Sequence, residues 1–524
     1  MPAERAIGRR RRNGRAEDAA PPAFTPFQIR SVISGLMLAM FLASLDQTIV
    51  ATALSSIARD LRGWQIMAWV VSSYLITSTV TTPIYGRLSD LYGRRPIMLI
   101  SIVIFVGASI LSAASVTMAQ LVGARALQGL GGGGLRSISQ AVIADIIAPR
   151  DRGRYQGYFS GVFVISNALG PVLGGVMSQY LSWHWIFWIN VPLGAAAFLL
   201  CNRQLARLRP PAEHAPVDWL GAVLILAATT LVLLGFDAAQ RNGEWLTLQT
   251  VGLAGAGGAL ALLLIRHEAG AAAPMLPLGL FRSREFSLSC LVLFISTGIA
   301  TAVIVLVPID YQLVAGLSPN HAGFQLIPLT VGTVIGSFGA GQLVTRTGRY
   351  RIFPVAGNLV VTLVCLALTY VGLGRSGIFD VLSTAVLGVA LGCNYSPLTV
   401  AAQNSLESDD NGIGMACVLF FRLIGGAFAV ALLSTILIAH FAQGVTAMAG
   451  HEALALDPGQ ALLDLEIGSA ALPASVVAAL VGSMRAAFSD VFLASAIIMP
   501  IALVASLFLK EAPLRKRNAA IVHH

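Results

Sequence analysis

Of the 25 acidic residues, only Asp46 lies clearly deep inside a long apolar run. A carboxylate is expensive to leave charged in lipid, so an acid in such a place is by default a candidate for function. Its chemistry would be to lose and regain a proton while facing alternate sides of a membrane. No histidine competes: His184 and His321 fall between apolar runs and His440 near the end of one. Asp145 lies near the inner end of its run and Asp310 near the outer end of its own. By elimination Asp46 is the leading proton carrier; the alternative is a neutral or paired Asp that holds one helix to a neighbour.

Three arginines also lie inside apolar runs: Arg125, Arg136 and Arg422. At 1.5 Å per residue, Asp46 lies about 24 Å along its helix from Arg30, and Arg125 lies about 12 Å in from the outer start near Thr117. The spacing therefore lets the two share a layer. Burial favours protonated Asp46 and a nearby Arg the ionised form, a balance that an arriving substrate could tip. Arg136 is about three turns from Arg125 and so shares its face, which is expected to point into a central cavity. Arg136 then either meets an anionic substrate or snorkels to the inner surface. For Arg422 an ion pair or a carbonyl contact is expected ahead of substrate binding. Trp69, Tyr74, Phe163, Phe187, Trp188 and Tyr395 are candidates to line the cavity, against the alternative of packing or interfacial belts.

Other constellations carry less. The five cysteines sit in apolar runs with no CxxC spacing, so neither a disulfide framework nor a metal site is expected. Gly129 and Gly131 to Gly134 have no preceding strand and no Walker-type Lys, which argues for close helix packing and against nucleotide binding. No nucleophile, base and orienting group cluster together, so an enzyme is not expected.

The elements that position these residues are helices. The 524 residues are 56% hydrophobic and 11% charged, against about 25% charged in a soluble protein. Fourteen spans are expected, near 30–54, 64–85, 96–114, 117–146, 156–181, 185–205, 218–238, 248–265, 286–309, 322–340, 352–372, 378–402, 412–440 and 488–509. With the N-terminus in the cytoplasm, 26 of the 34 Lys and Arg fall on the cytoplasmic side, five outside and three within helices. The positive-inside rule supports that topology, with both termini cytoplasmic. The net charge of +9 is thus an orientation signal and a contact for anionic lipids, and nucleic acid is not an expected partner.

Between the second and third spans stands Gly86-Arg87-Leu88-Ser89-Asp90-Leu91-Tyr92-Gly93-Arg94-Arg95-Pro96, and Gly341 to Arg351 repeats it in worn form with Thr345 facing Asp90. The copies follow helices 2 and 10, the offset that a six-helix repeat with two inserted helices requires. Gly93 permits a tight turn, while Asp90, Arg94 and Arg95 can cluster with Asp145, Arg150 or Arg154 as a breakable latch. The expected organisation is a disordered basic tail (1–29), a six-helix bundle (30–205), linkers with two inserted helices (206–285), a second six-helix bundle (286–509, with an extracytoplasmic loop at 441–487) and a cytoplasmic tail (510–524).

The loop at Gly86 resembles the loop 2–3 signature of the major facilitator superfamily. Leu45-Asp46-Gln47-Thr48 through Ala53-Leu54 to Ile57 resembles the helix 1 signature of its fourteen-helix drug:proton antiporters, with Ala51 and Ser55 where that pattern often has Asn and Pro. Arg125-Ala-Leu-Gln128-Gly129 resembles the helix 4 proton-transfer motif, and Gly170-Pro171-Val-Leu-Gly174-Gly175 the helix 5 antiporter motif. The resemblance covers about residues 30–510. It implies an all-α major-facilitator fold with fourteen transmembrane helices, and proton-driven export of small amphipathic compounds through the cell membrane by alternating access. It also implies a relay role for Arg125, and for helix 5 a bend and a tight seam between halves that limits proton leak. The proton gradient takes the place of a cofactor; the expected partners are a small-molecule substrate, protons and lipids, and a monomer is the expected form. A dedicated exporter or permease for one metabolite, possibly anionic and held by Arg136, is the competing function. A non-transporting sensor would need neither Asp46 nor Arg125.

Overall fold

A computed structural model describes residues 26–511, apart from 63–65, 67, 148, 207, 209–217, 243–245, 272–273, 275, 318, 375–376, 407–410 and 450–473. The basic tail before residue 26, the Pro-rich linker at 209–217, the centre of the 441–487 loop and the C-terminal tail lie outside the described residues.

Fourteen long helices follow one another: α1 (Pro26–Asp60), α2 (Ala68–Tyr92), α3 (Arg94–Ala113), α4 (Met118–Ile146), α5 (Pro149–Tyr180), α6 (Trp185–Leu205, irregular at Ile189), α7 (Trp219–Asn242), α8 (Leu248–Glu268), α9 (Arg284–Leu313), α10 (Ile327–Thr347), α11 (Ile352–Val371), α12 (Gly377–Asn404), α13 (Asn411–Ala449) and α14 (Ala474–Leu507). Among the described residues there is no strand. Eleven helices among the described residues are long and apolar enough to cross a membrane; α2, α4 and α5 have the length but a more polar composition. That polarity goes inward in α4, where Arg125, Gln128, Arg136, Ser137, Ser139 and Gln140 are all buried.

Helix starts follow local chemistry. Thr117, Thr247 and Ser283 each accept a hydrogen bond from the backbone N–H three residues on, capping α4, α8 and α9. Several boundaries differ from the sequence expectation. Gly86 to Tyr92 is not a loop but the last two turns of α2, and the break is confined to Gly93, at φ 92°. The second copy ends in the same way, at Gly348 with φ 74°. Without a Cβ, glycine enters this region freely, which is why both copies keep it. Residues 441–449 and 474–487, expected as loop, extend α13 and α14, because Phe441, Val445, Val476 and Leu480 bury apolar surface against the second core.

The packing repeats with an eight-helix offset. α1 packs on α5 as α9 packs on α13; α2 on α4 as α10 on α12; and α3 on α6 as α11 on α14. The two seams between the halves repeat as well, α2 against α13 and α10 against α5. Apolar cores follow this division: one cluster of buried residues runs from Leu280 to Leu509, joined by Ala144, while two others lie between Val32 and Leu205. Inserted helix α7 lies over the α2–α13 seam, with Ile84 of α2 beside Ala222 and Ile225, and Phe236 5.1 Å from the ring of Phe428. Arg94, Arg203, Arg266, Arg284, Arg346 and Lys510 gather at one end of the helices, which we call the basic end; Arg59, Arg62 and Arg485 mark the other.

Candidate functional site

Helix α4 can lie close enough to its neighbours to build a buried site because its glycines have no side chains. A Cβ on Gly131 would lie 2.6 Å from the Phe105 N of α3, and one on Gly133 would lie 2.5 Å from the Ser78 O of α2. Backbones at this distance leave the polar residues of α4 facing α1, α2 and α6.

There Asp46 and Arg125 meet. Arg125 Nη1 donates to Asp46 Oδ2 at 2.5 Å, with both residues at most 1% exposed. Gln128 Nε2 and Asn190 Nδ2 donate to Asp46 Oδ1 at 2.8 and 2.7 Å, and Arg125 Nη1 also donates to Gln128 Oε1 at 2.7 Å. Three donors thus converge on one carboxylate from two helices other than its own. Arg125 is further held by the Val70 carbonyl at 3.3 Å and lies over the Tyr74 ring, 4.4 Å from its centroid, with Phe187 at 5.9 Å. The Asn190 amide also donates to Ser109 Oγ, which donates to the Phe187 carbonyl. Breaking a buried pair of this kind costs about 3–5 kcal/mol, because the remaining charge loses its partner.

Gln128 stands in the helix 4 motif, yet its hydrogen bond to Asp46 could not be read from that motif. Nor does the sequence point to Asn190 as a partner of Asp46, or to Tyr74 as the ring beneath Arg125. Asn190 follows the irregular turn at the start of α6, and no periodic pattern marks a residue that reaches 144 positions back along the chain.

Arg136 does not snorkel. Its Nη2 donates to Gln47 Oε1 at 2.7 Å and to the Ala43 carbonyl at 3.2 Å, which holds it against the middle of α1. Tyr74 Oη donates to the same Ala43 carbonyl, so Tyr74 lies between the two arginines of α4. Arg422 makes neither the expected ion pair nor a carbonyl contact among the described residues; its guanidinium stacks 4.7 Å from the Tyr395 centroid. Of the other aromatic candidates, Tyr74 and Phe187 are buried, Trp69 is half-buried, and Phe163 and Trp188 are exposed on the helix surface.

At the basic end, Arg94 joins Asp90 (2.5 Å) and Asp145 (2.8 Å) and donates to Ser89 Oγ at 2.6 Å. Asp90 then crosses the seam: its Oδ2 accepts from the Ile413 N–H at 2.8 Å, in the first turn of α13. An acceptor there satisfies a free helix N–H and meets the positive end of the helix dipole. Gly86 keeps the seam closed, since a Cβ at this position would run into the Ala416 Cβ and lie 3.0 Å from the Gly412 O. Arg95 is not part of this cluster; it holds Asn202 of α6 at 2.7 Å. Arg154 instead donates to Tyr158 on its own helix. The side chain of Arg150 lies outside the described residues. Arg152, not singled out in the sequence, donates to the Ala144 and Ile147 carbonyls and so caps the end of α4.

In the glycine motif of α5, Gly170 faces Thr48 of α1, which donates to the Ser166 carbonyl at 3.2 Å. This tight contact lies within the first bundle, not between halves; on α5 the seam between halves is at Gly157, against Phe338 of α10. Gly174 is buried and Gly175 has open space beside it, while the Pro171 side chain lies outside the described residues and α5 runs on past it. Asp310, at the other end, is 3% exposed beside a cavity of about 40 Å³ lined also by Arg485, Thr369 and Phe488.

Two repeated helical bundles, joined through a seam at one end and holding a buried acid–base pair, define a membrane transporter of the two-half kind. The family model of the Major Facilitator Superfamily matches residues 36–430, and the chain belongs to that family. It is 33% identical over 499 residues to an uncharacterized MFS-type transporter of Mycobacterium tuberculosis, covering 95% of this chain and 72% of the relative. It is 30% identical to Multidrug resistance protein 3 of Bacillus subtilis (92% and 95% covered) and 34% identical to the multidrug transporter protein MdtP of the same organism (78% and 75%). Its fold is similar to that of the proton:xylose symporter XylE, with a TM-score of 0.61 at 14% identity over 94% of this chain and 98% of that one. The human organic anion transporter MFSD10 gives 0.60 at 15%, over 91% and 100%. The chain is a membrane transporter and not an enzyme.

Proposed function

We propose that this transporter exports small amphipathic compounds across the cell membrane in exchange for protons, with all fourteen helices spanning and both termini cytoplasmic. The observation that carries this reading is the buried Asp46–Arg125 pair with its Gln128 and Asn190 donors. A proton arriving at Asp46 removes the charge that holds Arg125 and Gln128. Those donors must then find other acceptors, so α1, α4 and α6 change their mutual arrangement. Because Asp46 adjoins Gln47 and lies about one turn from Ala43, which together hold Arg136, the change is passed along α1 toward the middle of the bundle. At the basic end the Asp90–Ile413 contact is the latch that opens and closes. Relatives named as multidrug proteins support the export direction.

The test is drug-dependent proton release from reconstituted vesicles containing the full chain. Asp46→Asn, which keeps the size and removes the titratable group, is expected to lose it by at least about 100-fold while the protein still elutes as a single folded species, in line with the general contribution of a positioned proton carrier. Full proton release from that variant would sink the reading.

A further inference from the structure

Among the described residues, the middle of the helices holds three arginines and one acid. Asp46 neutralises Arg125. Arg136 has only Gln47, the Ala43 carbonyl and the distant Tyr74 ring, and Arg422 has only Tyr395, with its Nε buried and without a hydrogen-bond partner. Neither forms an ion pair among the described residues. A charge kept in such a place without a counter-charge is costly, and residues that bear the cost mark a pathway or a site.

Arg136 and Arg422 also lie at one depth. Asp145 near the end of α4 and Ile413 near the start of α13 are tied together through Arg94 and Asp90. Arg136 lies nine residues before Asp145, and Arg422 lies nine residues after Ile413, so each is about 14 Å from that common level. Helices α4 and α13 pack on each other across the seam. One cation comes from each half, in one layer, and the Tyr395 ring offers a flat face beneath the second.

We infer that this layer binds the transported molecule as an organic anion: a carboxylate or sulfonate held by Arg136 and Arg422, on an aromatic body that lies against Tyr395. This rests on the export reading and names its substrate class. Arriving anions supply the missing counter-charge, whereas a lipophilic cation would meet two guanidinium groups without relief. Carboxylate and sulfonate groups suit arginine because its fork matches two of their oxygens at once.

The experiment compares equilibrium binding of three probes with one skeleton, 2-naphthoate, 2-naphthamide and 2-naphthylmethylammonium, to the purified full chain in lipid nanodiscs. Naphthoate is expected to bind at least about 10-fold more tightly than the other two. Arg136→Gln and Arg422→Gln should each weaken naphthoate about 10-fold yet change naphthamide less than about two-fold, while Arg422→Lys retains the preference for the anion. Equal or tighter binding of the ammonium probe, no binding of any probe, or an anion preference surviving in the double Gln variant would each overturn the inference. Unchanged naphthamide binding shows that the variants remain folded. Failure of the export reading is separate: it would show as naphthoate binding without proton-coupled movement in the vesicle assay, whereas proton-coupled movement of the ammonium probe without naphthoate binding overturns the anion layer alone.

Discussion

The two copies of the Gly-x-Leu motif have the same backbone and opposite uses. Both close a helix on a positive-φ glycine, Gly93 in one and Gly348 in the other. The first copy sends Asp90 across the seam to the start of α13. The second copy has Thr345 at the matching place, and three of its hydrogen bonds run within the second half: Thr345 donates to the Gly341 carbonyl, Tyr350 to the Lys510 carbonyl and Arg351 to the Leu507 carbonyl. One copy ties the halves together by contacts that can break, and the other fastens α14 within its own half. The bundle centres differ in the same direction: among the described residues an acid pairs with Arg125 in the first and none pairs with Arg422 in the second. Repetition therefore supplies a frame, and the cross-seam contact and the buried ion pair stand where the copies have diverged.

The largest expected effect separates the two central arginines. Arg125→Leu leaves Asp46 buried with its charge unanswered and is expected to cost about 3–5 kcal/mol of stability. Arg422→Leu removes a cation that has no counter-charge, so its cost should stay below about 1 kcal/mol or turn to a gain. Thermal or denaturant unfolding in detergent measures both. If the two variants lose the same stability, the contrast between a paired and an unpaired centre is broken.

The next effect separates the two motif copies. Asp90→Asn removes the ion pair with Arg94 and the charge that faces the Ile413 N–H, a loss of about 1.5–3 kcal/mol for a charge-assisted bond. That is enough to shift a two-state equilibrium about 10- to 150-fold toward opening at the basic end. Gly86→Ala should push the same way, since its new methyl meets Ala416 and Gly412 across the seam. Thr345→Val, in the second copy, should leave the populations within about two-fold, because its hydroxyl donates to the Gly341 carbonyl of its own helix and carries no charge. Spin-label distances across the basic end report these populations. Asp90→Asn with an unshifted distance distribution would remove the latch.

Much of this was legible in the sequence because lipid imposes long apolar helices and leaves few charges to account for. Asp46 and Arg125 stood out for that reason, and depth arithmetic placed them in one layer. Asp90 was picked out because an acid dilutes a cationic signal, and its Arg94 and Asp145 partners lay near the same helix ends. The cross-seam acceptor role was not legible, since the partner at Ile413 is a backbone N–H, which every residue but proline has. Asn190 was missed because a lone amide beside an irregular turn has no period. Arg95 and Arg154 were misplaced because counting residues gives depth but not the direction in which a side chain leaves its helix, and Arg95 points to α6.

The smallest expected effect tests the quiet copy directly. Tyr350 is 1% exposed and its hydroxyl donates to the Lys510 carbonyl at 2.6 Å, just past the end of α14. Tyr350→Phe keeps the ring packed beside Val344, Val400 and Ala401 and removes the hydroxyl's bond to Lys510. The expected loss is about 1 kcal/mol of stability, the usual net value of one neutral hydrogen bond. Since both partners belong to the second half, the loss should not change the balance between states open at one end and the other. A populations shift comparable to that of Asp90→Asn would mean that the second copy also takes part in opening. The divergence at Thr345 would then mark a different kind of latch and not a fixed anchor.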